Sequence, residues 1–204
     1  MSKTLKLPTI RLAANISRFV TIVVAGICGL VAGSVYAQDA NLEGLGVHRW
    51  NGYGLRIETA ALSHDQVRGF FIGRGFDEVG VNALIDEGCM FRSAIGNDAT
   101  DPDALHVTIH QDEWRLFVDG EEQKMRTRAD WPPVWDRLGV DVEQRVAFKW
   151  ALFPETQIFA PTDYNWGMIT FGLPPGTRFD LELVWHEREI KRTKRFQGME
   201  CAKQ

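Results

Sequence analysis

The chain has 204 residues, 45% of them hydrophobic and 25% charged, with 27 acidic against 23 basic side chains and a formal net charge of −4. That balance speaks against a nucleic-acid binder or a protein drawn to anionic membrane surfaces, since both call for a basic excess. The length suits one domain, large enough to bury a proper core.

Residues 1–37 read as a signal segment. Lys3, Lys6, Arg11 and Arg18 precede an uncharged run, FVTIVVAGICGLVAGSVYA, and the small residues Val35 and Ala37 place a cut before Gln38. The competing reading is a retained anchor, because nineteen uncharged residues approach the roughly 20 that span a bilayer. Membrane association is expected only in that case. Cleavage implies a periplasmic protein of 167 residues with 19 basic and 27 acidic side chains, a net charge of −8. All seven tryptophans lie in this mature part.

Residues 38–54, QDANLEGLGVHRWNGYG, carry many glycines and no sustained period, and they read as a flexible leader. A single domain is expected over 55–204. It starts at LRIETAAL, where Leu55, Ile57 and Thr59 alternate with Arg56 and Glu58 as in a half-buried strand. SHDQVRGFFIGRGF follows as a helix, with Ser63 and Gln66 spaced as a capping box and Gly75 as its stop. DEVGVNALIDEG reads as a second short helix, capped by Asp77 and ended near Gly88.

From Cys89 onward the period is mostly two. CMFRSAI alternates, Leu105, Val107 and Ile109 share a face, and so do Trp114, Leu116 and Val118. Asp119-Gly120 is a hairpin turn, with EEQKMR as the return strand. ADWPPVWDRLGV interrupts with a short helix, because Pro132 and Pro133 suit a helix start. RVAFKWALF, WGMITFGL and RFDLELVWHE are expected as strands, the last two joined by the turn LPPGT. The basic run REIKRTKR, Arg188 to Arg195, reads as a charged edge strand or hairpin that resists edge-to-edge pairing. The fold expected from this order is mainly β: an antiparallel immunoglobulin-like β-sandwich with two short N-terminal helices as a cap.

Cys28 leaves with the signal, so Cys89 and Cys201 remain, and in an oxidising compartment an even count favours a disulfide. The loop it would close spans 112 positions, which chain entropy values at roughly 4 to 5 kcal/mol before strain. A soft-metal site with Met90 or Met199, or free thiols, are the alternatives. Metal candidates are His110, His186, Met90 and Met199: HQDE and WHE set carboxylates beside histidines, and a cross-strand pairing of His110 with His186 could form a site. His106 and His110 lie roughly 13 Å apart in a strand and cannot share a metal. Methionines suit Cu(I), so copper is the cofactor alternative, with no cofactor the leading expectation.

Trp131 and Trp135, flanking the proline pair in a connecting segment, could stack on a sugar or a partner chain if exposed, although burial is their ordinary fate. Catalytic motifs are missing: FRSAIG has Arg92 where a nucleophile elbow needs glycine, and GRGFDEVG has Glu78 where a dinucleotide fingerprint needs one. No catalytic residue is therefore assigned. The stretches IETA, FFIGRGF, CMFRSAIGN, DEWR and ALFPE together resemble a family of exported Gram-negative bacterial proteins to which no function is attached. The resemblance implies export and one domain, and nothing about chemistry. The expected function is an exported, periplasmic, non-catalytic binding or accessory module whose partner is another periplasmic or envelope protein; a copper-handling protein is the alternative.

Overall fold

The computed structural model describes residues 46–203. The expected signal segment, the cut before Gln38 and the leader up to residue 45 lie outside the described residues. In chain order the elements are β1 (Val47–Gly52), β2 (Leu55–Ala61), α1 (His64–Ile72), α2 (Glu78–Gly88), β3 (Met90–Asn97), β4 (Val107–His110), β5 (Arg115–Val118), β6 (Glu121–Gln123), α3 (Pro132–Leu138), α4 (Val142–Ala151), β7 (Thr156–Phe159), β8 (Tyr164–Thr170), β9 (Arg178–Glu187) and β10 (Ile190–Glu200). About 41% of the described residues are strand and 27% helix, and the strands pair antiparallel throughout. The fold is mainly β.

Two sheets result. The first has the order β1-β2-β3-β8; in the second, β6-β5-β9-β4-β7, β10 lies on the other side of β9. β9 is long enough to serve two strands end to end: Val107 and Ile109 of β4 face Glu187 and Trp185, while Arg115 and Phe117 of β5 face Glu182 and Asp180. The turn Gln111–Glu113 joins those two collinear strands. Alternation explains why the sheets meet. Leu55 and Ile57, Phe91 and Ile95, and the β9 set Phe179, Leu181, Leu183 and Trp185 all point into one buried cluster between the sheets. Residues of period two bury one face of a strand and leave the other to solvent or to a further layer.

That further layer is helical. Val67 and Phe71 of α1, Val81 and Leu84 of α2, Trp131 and Trp135 around α3, and Phe148 of α4 form a second cluster with Leu62, Met90 and Met168 on the outer face of the first sheet. The expected capping box starts α1: Gln66 N donates to Ser63 Oγ at 3.2 Å and Ser63 N donates to Gln66 Oε1 at 2.9 Å. Asp77 caps α2 by accepting from Gly80 N at 2.8 Å. Pro132 opens α3 as its spacing predicts. The two early helices do not stand alone over an end of the sheets; they share a layer with α3 and α4.

Two elements differ from the sequence reading. Residues 47–52, placed in the leader, form β1, joined to β2 by the two-residue turn Tyr53-Gly54 with φ of 49° and 72°. Two left-handed positions make the primed turn whose twist suits paired strands, and a tyrosine in the first position hides the usual Asn-Gly or Asp-Gly signal. RVAFKWALF, expected as a strand, lies mostly in α4. The alternation of Val146, Phe148 and Trp150 suggested a strand, but only Phe148 is buried. The capping box of Asp141 and Gln144 starts a helix there instead.

The Asp119-Gly120 turn is present, with φ of 52° and 87°, and returns the chain into β6. REIKRTKR forms the β9–β10 turn and the first part of β10, which pairs only with β9 and so lies at an edge of its sheet. Cys89 and Cys201 form a disulfide with Cα atoms 5.2 Å apart, and it sits in the buried cluster between the sheets.

Candidate functional site

The outer face of the first sheet changes character along its strands. Four successive rows cross β2, β3 and β8 through the register Met90↔Thr170, Arg92↔Met168, Ala94↔Trp166 and Gly96↔Tyr164, with Ala60, Glu58 and Arg56 of β2 beside the last three. Met90 and Thr170, in the first row, are sealed under the helices, and Trp131 Nε1 donates to Thr170 Oγ1 at 3.1 Å. Met168 and Ala60 in the second are still buried. Beyond them the helices end. Trp166 is 71% exposed and Tyr164 67%, and Ala94 and Arg56 are exposed with them.

The chain that follows α4 runs beside β8. Leu152 bridges Met168 in parallel, and Phe153 N donates to Met168 O at 2.7 Å. Trp150 lies two residues before Leu152, in the last turn of α4. Trp150, at 84% exposed, is the most exposed large hydrophobic side chain among the described residues. The crossing depends on Gly167: a Cβ there would lie 2.8 Å from Phe153 N and 2.9 Å from its Cα. On α4, Val142, Val146 and Trp150 fall at i, i+4 and i+8, one stripe opposite buried Phe148.

Arg92 stands at the boundary between the sealed and bare rows. Its Nε and Nη2 are buried without a hydrogen-bond partner, the only such side-chain atoms among the described residues. Neighbouring Glu58 is engaged by Arg49, whose Nε donates to Glu58 Oε2 at 2.8 Å. Two depressions cross this face. One of about 360 Å³ is lined by Arg92, Trp166, Glu58 and Ala94; the other, about 600 Å³, shares Glu58 and Ala94 and runs past Arg56, Asn51 and Tyr164.

The tryptophans singled out in sequence are not on this surface. Trp131 and Trp135 are 0% and 2% exposed, stacked with ring centroids 4.8 Å apart inside the helical layer. They are core. The signals that lead to the exposed ones are the Asp141–Gln144 capping box, which turns Val142, Val146 and Trp150 into a helical stripe, and the alternation of Tyr164, Trp166 and Met168 along β8.

The metal candidates separate into two kinds. His110 and His186 do meet, with ring centroids 6.0 Å apart, and His186 Nε2 is 2.6 Å from Glu113 Oε2. The same hydrogen bond holds the Glu113 carboxyl below the ordinary carboxylate range. His110 Nδ1 lies 3.2 Å from Thr156 Oγ1. This group opens on a cleft of about 880 Å³ whose wall includes Asp112, Lys124, Asp130 and Lys191. Met90 and Met199 are elsewhere: Met90 is buried in the helical cluster and Met199 in the cluster between the sheets. Met90 and the disulfide residue Cys89, the left-handed residue that ends α2, are buried in different clusters. Among the described residues no cluster of three or more His, Cys, Asp or Glu side chains is arranged to hold a metal ion.

Comparison of the chain with family models, with curated proteins and with solved structures gives no match.

Proposed function

We propose that the chain is an exported, periplasmic, non-catalytic binding or accessory module, and that its working surface is the bare end of the first sheet's outer face. One observation carries the reading: Trp166 and Tyr164, two of the three most exposed aromatic side chains among the described residues, stand on one uncovered face of β8 rather than scattering over the molecule. Exposed tryptophan and tyrosine combine large apolar area with a polar handle, the composition of binding surfaces. What this face holds is another component of the envelope, for which the sequence led us to expect a protein.

The scaffold is read as a β-sandwich with a helical cap, supported by two antiparallel sheets around one core and by α1 to α4 on the outer face. The immunoglobulin likeness draws less support. β1, β2 and β3 are consecutive neighbours in one sheet, whereas an immunoglobulin domain sends its third strand to the other sheet. Copper handling is the second reading, and the His110–His186 pair is what favours it. Stoichiometric retention of copper that is abolished by His186→Ala would support it.

The binding reading is tested by placing a benzoylphenylalanine crosslinker at Ala94, in the middle of the bare face, and at Thr193, exposed on the β10 edge. Irradiation in intact cells should give a discrete adduct from position 94 that disappears with Trp166→Ala, and none from 193. Equal adducts from the two positions, or none from 94, would overturn the reading.

A further inference from the structure

The unpaired nitrogens of Arg92 ask for an explanation. A guanidinium is always charged and acts only as a donor, and leaving a buried donor unmade is unfavourable. Nε and Nη2 form one edge of the guanidinium, the edge that takes a carboxylate in two parallel N–H···O bonds. Glu58, the acid lining the same depression, is held by Arg49. Arg56, further along the groove, makes no ion pair among the described residues either, so the groove carries two uncompensated positive charges in a chain that is acidic as a whole.

Resting on the reading that this face is the binding surface, we infer that its occupant is an oligosaccharide bearing carboxylated sugar rings. Two aromatic rings, Tyr164 and Trp166, stand two residues apart on one face of β8, about 6 to 7 Å along the strand. Each offers a flat surface to the apolar side of a sugar ring. The carboxylate of the ring at Trp166 pairs with the Nε–Nη2 edge of Arg92. That edge is buried in the free protein, so side chains lining the depression shift as the ligand enters. Glu58 and Asn51 accept and donate hydrogen bonds to hydroxyls along the groove.

A protein strand fits this place less well. Leu152 and Phe153 already hold the β8 edge at Met168, which leaves only the short stretch beyond it for strand addition. The surface is two shallow linked depressions rather than one deep apolar pocket for an anchoring side chain. Single-stranded nucleic acid would also combine rings and negative charge, so a single-stranded oligonucleotide is the competing ligand in the test.

The test is isothermal titration of the mature protein with tetragalacturonic acid, alongside cellotetraose as the neutral counterpart and a ten-residue oligothymidylate. Tetragalacturonate should bind, with a change in tryptophan emission, and should bind roughly tenfold or more tighter than cellotetraose. Arg92→Gln and Trp166→Ala should each lose roughly tenfold or more while near-ultraviolet circular dichroism stays native; Lys194→Gln on the β10 edge should change nothing. Equal binding of the neutral and acidic sugars, or tighter binding of oligothymidylate, would overturn the inference. Absence of tetragalacturonate binding would overturn it too. In that event a Trp166-dependent adduct from position 94 would leave the binding-module reading standing with a protein occupant, and loss of the adduct as well would remove both.

Discussion

The two ends of the first sheet's outer face are made by the same three strands and differ only in what lies over them. At one end Met90, Met168 and Ala60 are sealed by helices; at the other Ala94, Trp166 and Tyr164 face solvent. Strand periodicity alone makes no such distinction, because it predicts one outer face of uniform character. The difference comes from the reach of the helical layer, which ends at the row of Arg92. A face left bare by its own cap, yet carrying two large aromatics, is the comparison on which the functional reading depends.

Substitutions on the two sides should separate the sealed end from the bare one. Trp131→Ala, in the sealed layer, removes a fully buried indole and its bond to Thr170; we expect a loss of about 3 to 5 kcal/mol in urea unfolding. Cys201→Ser removes the disulfide between the sheets, with an expected loss of about 2 to 5 kcal/mol. That loss should be matched by adding reductant to the wild type and should be absent when reductant is added to the variant. Arg92→Met, at the boundary, removes a side chain with two unpaired buried nitrogens, and stability should rise by about 1 kcal/mol. A large loss there would mean that the guanidinium has a stabilising partner, against the account of the bare end. Trp150→Ala should leave stability within about 0.5 kcal/mol, as for an exposed side chain with no structural role.

The smallest effect concerns the cleft. Because its carboxyl is held low by the bond from His186, Glu113 contributes stability that is fully present above the ordinary carboxylate pKa of 4.5 and is lost as pH falls through its lower folded value. The unfolding midpoint of the wild type, relative to Glu113→Gln, should fall as pH drops below that ordinary value and stay level above it. Both side chains of the pair are partly exposed, so the change is small.

Much of this architecture was readable in the chain. The alternation of Phe179, Leu181, Leu183 and Trp185 gave the central strand, Asp119-Gly120 gave a hairpin, and Ser63 with Gln66 gave a helix start. These are local signals, each decided within a few residues. β1 was not readable, because its turn puts Tyr53 where Asn or Asp announces such a turn. α4 mimics a strand, since apolar residues at 146, 148 and 150 satisfy a period of two, while the capping box that starts the helix lies just upstream. The candidate site suffered most. Exposure of Trp166 and burial of Trp131 are decided by where the helices end across the sheet, and no local spacing encodes that. The His110–His186 meeting was readable because both lie on strands of one sheet; the separation of Met90 from Met199 was not, because it depends on which layer each strand faces.

The bare end of the first sheet is expected to be occupied in the cell. Hydroxyl-radical footprinting, with tryptophan oxidation read by mass spectrometry in purified protein and in intact cells, tests it most directly. In the purified protein Trp150 and Trp166 should oxidise readily, and Trp131, Trp135 and Trp185 should stay inert. In cells Trp166 should become protected several-fold while the buried three remain unchanged. Equal oxidation of Trp166 in both settings would contradict the account.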